Sequence, residues 1–171
     1  IGVAVNGKAG AAAHYMPDIR MINLTRDNGA GSLAHEWGHF FDNIVAQVEG
    51  AVGDGGGEKF ASDAVDGGPT VAAIRALRSS PGWRDFSRRT RDVARKDPTI
   101  SQAKFKYWNS STERFARCFE RYVQRKLQTS GRENTYLVAL RKSAAQSDSL
   151  WPTDAEVDAM TPLFDNVFAQ F

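Results

Sequence analysis

His35, Glu36 and His39 stand within GAGSLAHEWGHFFDN (residues 29–43), which places two of the chain's three histidines four residues apart with a carboxylate beside the first. On a helix, residues four apart lie on adjacent turns of one face, so both imidazoles can reach a single point. Imidazole pairs at this spacing suit zinc, whose catalytic sites combine three protein ligands with water. Glu36, just off the histidine side, can reach such a water without ligating the ion and take its proton. With 3 histidines and 7 glutamates in 171 residues, an HExxH match arises by chance in roughly 0.2% of such chains, so the motif is specific.

Two histidines leave the site a ligand short. The third, His14, lies upstream, and no histidine follows His39. Carboxylates on a second helix are the next candidates, and YWNSSTERFARCFERYV (residues 107–123) offers Glu113 and Glu120. Helical spacing puts Glu113, Arg117, Glu120 and Gln124 on one stripe, opposite an apolar face of Phe115, Cys118, Phe119, Tyr122 and Val123. Either glutamate can point into a site between helices. Ser110 and Glu113 also read as a capping box, and Arg117 is spaced to pair with either carboxylate.

These side chains need elements to hold them. From Ser32, a plausible N-cap, a helix is expected to run to about Glu49, stopped by the glycines of GAVGDGGGE. At 100° per residue Leu33, Trp37, Phe40, Phe41, Ile44, Val45 and Val48 share an arc of about 140°, the expected packing face, with both histidines on the opposite side. Upstream, AAAHY and RMINL read as short strands between turns at VNGKAG and TRDNGAG. The Gly-rich loop precedes no Lys-Ser/Thr pair and reads as a flexible connection, not a phosphate cradle. Further helices are expected over roughly 69–79, 82–96, 110–128, 132–146 and 153 to the end, with Pro162 kinking or dividing the last. The expected class is α+β: a small N-terminal antiparallel or mixed sheet and an active-site helix, then a mostly helical body, all within one domain spanning 1–171.

Composition limits the alternatives. No apolar run approaches the ~20 residues of a membrane span, and the N-terminus lacks the pattern of a signal peptide. The lone Cys118 excludes an internal disulfide and fits a reducing compartment. The chain begins at Ile1, as a processed product or a piece of a longer protein would. Its net charge of +2 conceals a division. Residues 75–126 hold 15 of the 22 Lys and Arg but 5 of the 20 Asp and Glu, a local balance of +10 against −8 elsewhere, which suggests an acidic or nucleic-acid partner or, more plainly, solvated helix faces.

The runs AAAHYMPDIRMINLT, GAGSLAHEWGHFFDN, YWNSSTERFARCFERYV and LWPTDAEVDAMTPLFDNVF together resemble the zincin-like domain of large polyvalent proteins from phages and conjugative elements, within the gluzincin group of HExxH metallopeptidases. The resemblance extends from about Ala11 to the C-terminus and is weakest between residues 50 and 100. It implies a minimal gluzincin fold and a zinc ion. It implies that the third ligand is the glutamate of an ExxA pattern, which Glu113-Arg-Phe-Ala116 matches, favouring Glu113 over Glu120. It also implies an aromatic or histidine partner for the oxyanion: Tyr107 by position, with His14 and Tyr15 as alternatives. A protein substrate would bind as an extended peptide along an edge strand, and the resemblance to injected proteins implies action in the bacterial or host-cell cytoplasm.

Two functions follow as expectations. One is a zinc endopeptidase with His35, His39 and Glu113 on the metal and Glu36 as general base. The other is a catalytically silent module that docks on nucleic acid, or on a DNA-bound protein, through the basic segment.

Overall fold

The computed structural model describes residues 13–25, 29–53, 56–57, 59–138 and 150–171. The alternating pattern of RMINLT forms β2 (Met21–Leu24), which pairs antiparallel with β1 (Ala13–Met16), Ala13 opposite Leu24 and Met16 opposite Met21. The start of AAAHY and the VNGKAG turn lie outside the described residues, as do residues 26–28 of TRDNGAG. Ile22 and Leu24 pack on Leu33 and Phe40, so the hairpin is a small layer laid on the histidine helix.

That helix, α1, spans Leu33–Val48. Ser32 occupies the N-cap position, yet its side chain makes no capping bond. Orphan amides are met instead by a distant segment: Gly31 donates to the Tyr136 carbonyl at 2.9 Å and Ala34 to the Leu137 carbonyl at 3.0 Å. After Gly50, in the left-handed region at φ 61°, the chain makes a minimal hairpin, β3 (Val52–Gly53) with β4 (Gly56–Gly57), then a 3-10 turn at Ala61–Asp63. The expected loop is therefore partly ordered into strands. Helices α2 (Pro69–Arg78), α3 (Pro81–Lys96), α4 (Gln102–Asn109), α5 (Ser111–Thr129) and α6 (Asp154–Gln170) follow. The class is α+β, with two two-stranded antiparallel sheets and six α-helices among the described residues. No helix among them is long and apolar enough to cross a membrane.

The core lies where α5 runs between α1 and α6. Phe119 stacks on Phe41 of α1, and Phe115 meets Phe164 of α6 at 5.8 Å between ring centroids. Val71, Ile74, Leu77 and Phe86 close the cluster from α2 and α3.

Four points of the sequence reading need correction. The packing face of α1 is rotated from the predicted arc: Phe41 and Val45 are buried beside Ala34, Gly38, Asp42 and Ala46, whereas Trp37 and Val48 remain 40% and 67% exposed. Counting apolar side chains misplaces the face because small residues line the closest contact. The helix predicted over 132–146 gives turn structure over its described part, residues 132–138; Gly131 ends α5 at φ 66°, and the Asn134 side chain accepts from the amides of Tyr136 and Leu137, competing with helical bonds. Residues 139–146 lie outside the described residues. Finally, α4 is a helix the sequence reading missed, since it buries no residue and carries little amphipathic pattern; its signal was the Ser101 cap, which accepts from the Lys104 amide. Pro162 does not divide α6, which runs through it, because it sits on the exposed face and removes one ladder bond.

Candidate metal centre

A glycine sets how closely the two site helices meet. A Cβ on Gly38, between the two histidines, would lie 2.9 Å from the Ala116 Cα and 3.2 Å from the Phe119 Cβ. Only hydrogen at position 38, facing the small Ala116, allows this crossing. One turn before Ala116 on α5, Glu113 is thereby carried up to His35 and His39.

Each side chain of the resulting group is constrained from behind. Ser110 caps α5 and accepts from the Glu113 amide at 3.3 Å, which places Glu113 in the first turn. Its carboxylate is not spent on the reciprocal half of a capping box. Arg117, one turn on, donates to Glu113 Oε1 from Nε at 2.8 Å and from Nη2 at 2.7 Å. That leaves Oε2, which is buried and has no hydrogen-bond partner, 3.5 Å from His35 Nε2 and 3.5 Å from His39 Nε2. One donor atom from each of the three residues falls within 4.8 Å of the others.

These spacings can be tested against an ion. Tetrahedral zinc, with bonds of about 2.0–2.2 Å to nitrogen and oxygen, sets its donor atoms about 3.3–3.6 Å apart. The two 3.5 Å separations fit that figure and exceed a good hydrogen bond. A buried acceptor without a donor is costly, and a cation at the common point would satisfy it. The electrostatics agree. Burial disfavours charge on His35, but the Glu113 and Glu120 carboxylates outweigh it and lift its pKa to about 10. Burial likewise opposes charge on Glu113, but the two histidines and Arg117 hold its carboxyl well below the usual range. The pocket therefore favours a carboxylate with positive charge in front of it.

Glu120, left open against Glu113 by helical spacing, lies on the other side of His35, its Oε2 3.4 Å from Nδ1. Glu120 addresses His35 alone, whereas Glu113 meets both histidines at the shared point. Glu36, the next residue after His35 on α1, is buried at 7% exposure. Tyr107, at the end of α4, has an exposed ring, yet burial of its hydroxyl and the nearby Glu113 and Glu36 carboxylates push its pKa up. The hydroxyl thus lies on the Glu113 side of the site. Tyr15 is not there: its hydroxyl donates to Asn43 Oδ1 at 2.8 Å and its ring packs edge-on to Phe40. His14 pairs across the hairpin, its Nε2 3.2 Å from Asn23 Nδ2, and is not a member of the three-residue group.

The sequence reading also missed the anchors of α1. Asp42 is fully buried and accepts from the amide and hydroxyl of Ser62 at 2.7 and 2.5 Å, tying α1 to the 3-10 turn. Burial outweighs these bonds and raises its pKa to about 7. Asn43 accepts from Tyr15 and donates to the Lys59 carbonyl at 2.6 Å, joining hairpin and loop to the same helix. Their signal was position: Asp-Asn one turn after the second histidine.

Much of the basic segment is answered within the protein. Arg121, Arg125 and Lys126 of α5 pair with Asp154, Asp158 and Asp165 of α6, and Arg89 pairs with Glu156 at 2.6 Å. On α3, Arg88 pairs with Asp85, while Arg84, Arg91 and Arg95 are exposed.

Against known families, residues 100–171, which run from just before α4 to the C-terminus, match the model of large polyvalent protein-associated domain 1. The match associates this part of the chain with large polyvalent proteins. It includes Tyr107, Glu113 and Glu120 and leaves out the histidine helix. No curated protein and no solved structure matches the chain.

Proposed function

We propose that this protein is a zinc-dependent endopeptidase acting on a specific protein substrate. The observation that carries the reading is Glu113 Oε2, buried, without a donor, and equidistant from the Nε2 atoms of two histidines spaced as HExxH. His35 and His39 would hold the ion through Nε2 and Glu113 through Oε2. Bound zinc supplies a Lewis acid for the scissile carbonyl and acidifies water. Glu36 takes a proton from the attacking water as its oxygen adds to the carbonyl carbon, and returns that proton to the amide nitrogen as the C–N bond breaks. The Tyr107 hydroxyl donates to the carbonyl oxygen as it gains charge. The substrate adds as an extended strand to an outer edge of the β1–β2 hairpin, its backbone supplying the hydrogen bonds. The polyvalent-protein association of residues 100–171 supports delivery by a phage or mobile element and a target in the bacterial cytoplasm.

The test separates base from ligand. Glu36→Gln should keep the fold and the zinc but abolish hydrolysis, because an amide cannot take the proton. New protein N-termini would be compared in bacterial lysates treated with wild type or Glu36→Gln. Identical fragments at identical rates from the two forms would sink the peptidase reading.

The exposed Arg84, Arg91 and Arg95 favour a second reading, docking on nucleic acid. Binding to duplex DNA should then fall steeply as salt rises, with a log-log slope of several units. No binding at low salt would return these arginines to a solvated face.

A further inference from the structure

We infer that Glu120 and Trp151 form a positioning relay for His35, and that residues 150–152 are a strap which three arginines hold so that the relay stays seated. The inference rests on the metal-site reading and concerns the side of the site that faces away from the ion.

A histidine ligand presents one ring nitrogen to a metal, and the partner of the other nitrogen fixes both tautomer and ring orientation. His35 Nε2 faces Glu113 Oε2, while Nδ1 lies 3.4 Å from Glu120 Oε2. That same oxygen accepts the indole N–H of Trp151 at 2.9 Å. Glu120 is 3% exposed, so its charge is met by groups inside the protein. The indole N–H fixes that carboxylate oxygen, and the fixed carboxylate, facing Nδ1 at ion-pair distance, in turn sets the imidazole.

Trp151 comes from 31 residues beyond Glu120, and its backbone is held at three consecutive carbonyls. Arg117 Nη1 donates to Leu150 O at 3.0 Å, Arg89 Nη2 to Trp151 O at 2.8 Å and Arg121 Nε to Pro152 O at 3.2 Å. The Arg117 guanidinium also lies 4.9 Å from the centroid of the Trp151 ring. Arg117 therefore touches both halves of the device: it orients the ligand Glu113 from one side and the strap from the other. A strap needed only to start α6 would require none of this, since Thr153 and Glu156 already complete a capping box there. The indole N–H aimed at Glu120 is the feature that packing alone leaves unexplained.

The consequence is that metal affinity depends on the seating of residues 150–152. Trp151→Phe removes one N–H and leaves a ring over Arg117. Glu120→Gln keeps an acceptor oxygen at the same size and removes the charge. Zinc affinity would be measured on the whole chain by competition with a chelator, the cobalt(II) absorption spectrum recorded on the same proteins, and folding checked by circular dichroism. Glu120→Gln is expected to bind zinc about 10–100-fold more weakly, Trp151→Phe several-fold more weakly, and Glu120→Gln to shift the cobalt bands with the fold intact. Wild-type affinity and spectrum in both variants would overturn the relay and leave the metal site standing. If wild type itself binds no zinc or cobalt, the metal-site reading fails and the relay with it.

Discussion

The two halves of α5 both make ion pairs, and the pairs come to opposite ends. Its first half carries Glu113, Arg117 and Glu120, all buried under α1 and the 150–152 strap. Its second half carries Arg121, Arg125 and Lys126, which meet Asp154, Asp158 and Asp165 across an interface where those aspartates are 46–60% exposed. In the first half both signs of charge stand on α5 itself, whereas the second half supplies only cations and takes its carboxylates from α6. In the second half water screens every pair and supplies any missing partner, so the ladder adds little that salt would not remove. In the first half no water replaces an absent donor, so Glu113 Oε2, which has no hydrogen bond and faces the two histidines at 3.5 Å, is a persistent demand for positive charge. Burial, and not the residue types, turns a salt-bridge pattern into a candidate ion site.

The variant that separates the halves most strongly is Glu113→Ala. It removes the third ligand and leaves the Arg117 guanidinium, 3% exposed, without its carboxylate. Breaking a buried pair from one side costs about 3–5 kcal/mol, so the metal-free variant should melt well below wild type in addition to losing zinc. Metal analysis and a denaturant titration read the two effects separately. Zinc held at wild-type stoichiometry in Glu113→Ala would show that the buried half is an ordinary ion-pair network and erase the contrast.

Gly38→Ala should act on the same half with a smaller effect. The new methyl meets the Ala116 Cα at 2.9 Å, so α1 and α5 must separate locally. Overpacking of this kind costs about 1–3 kcal/mol, against a gain of up to about 1 kcal/mol from replacing glycine within a helix. The expected net result is modest destabilisation together with weaker zinc binding, because Glu113 withdraws from the histidines. A variant more stable than wild type with unchanged zinc affinity would mean that the crossing does not set the ligand spacing.

The same contrast decides what could be read from the sequence. HEWGH is local: helical geometry alone puts His35 and His39 on one side, so the pair was legible before any fold was known. Glu113 and Glu120 share a stripe, and periodicity cannot say which faces the histidines and which stands behind one of them; that depends on where α1 crosses. The crossing is set by Gly38 and Ala116, which contribute nothing to an apolar pattern, and for this reason the buried face of α1 was misplaced toward Trp37 and Val48. Trp151 was illegible as a site residue, since its approach to Glu120 depends on arginines whose hold on the 150–152 backbone no spacing shows; only the pairing of Arg117 with a carboxylate could be read from the sequence. Arg89, Arg117 and Arg121 make the general point. Composition counts their charge, whereas the fold spends them on backbone carbonyls and carboxylates of the same chain.

The smallest expected effect lies in the exposed half of α5, in the pair Arg125–Asp158. Arg125 Nε and Nη2 donate to the two carboxylate oxygens at 2.7 and 2.8 Å, a geometry as good as that of Arg117 on Glu113. Its strength should nevertheless differ, because the Arg125 and Asp158 side chains are 32% and 50% exposed and solvate well when separated. Asp158 lifts the pKa of the arginine and Arg125 lowers that of the aspartate, but ions screen such shifts at the surface. A double-mutant cycle with Arg125→Met and Asp158→Asn should therefore give a coupling near the resolution of the method at physiological salt. Whatever coupling is seen at low salt should vanish in 1 M salt, where charges are screened within about 3 Å. Zinc affinity should not change in any corner of the cycle, since neither residue touches the histidines, Glu113 or the strap. A salt-independent coupling as large as that between Arg117 and Glu113 would mean that bidentate geometry, and not burial, sets the energy along α5.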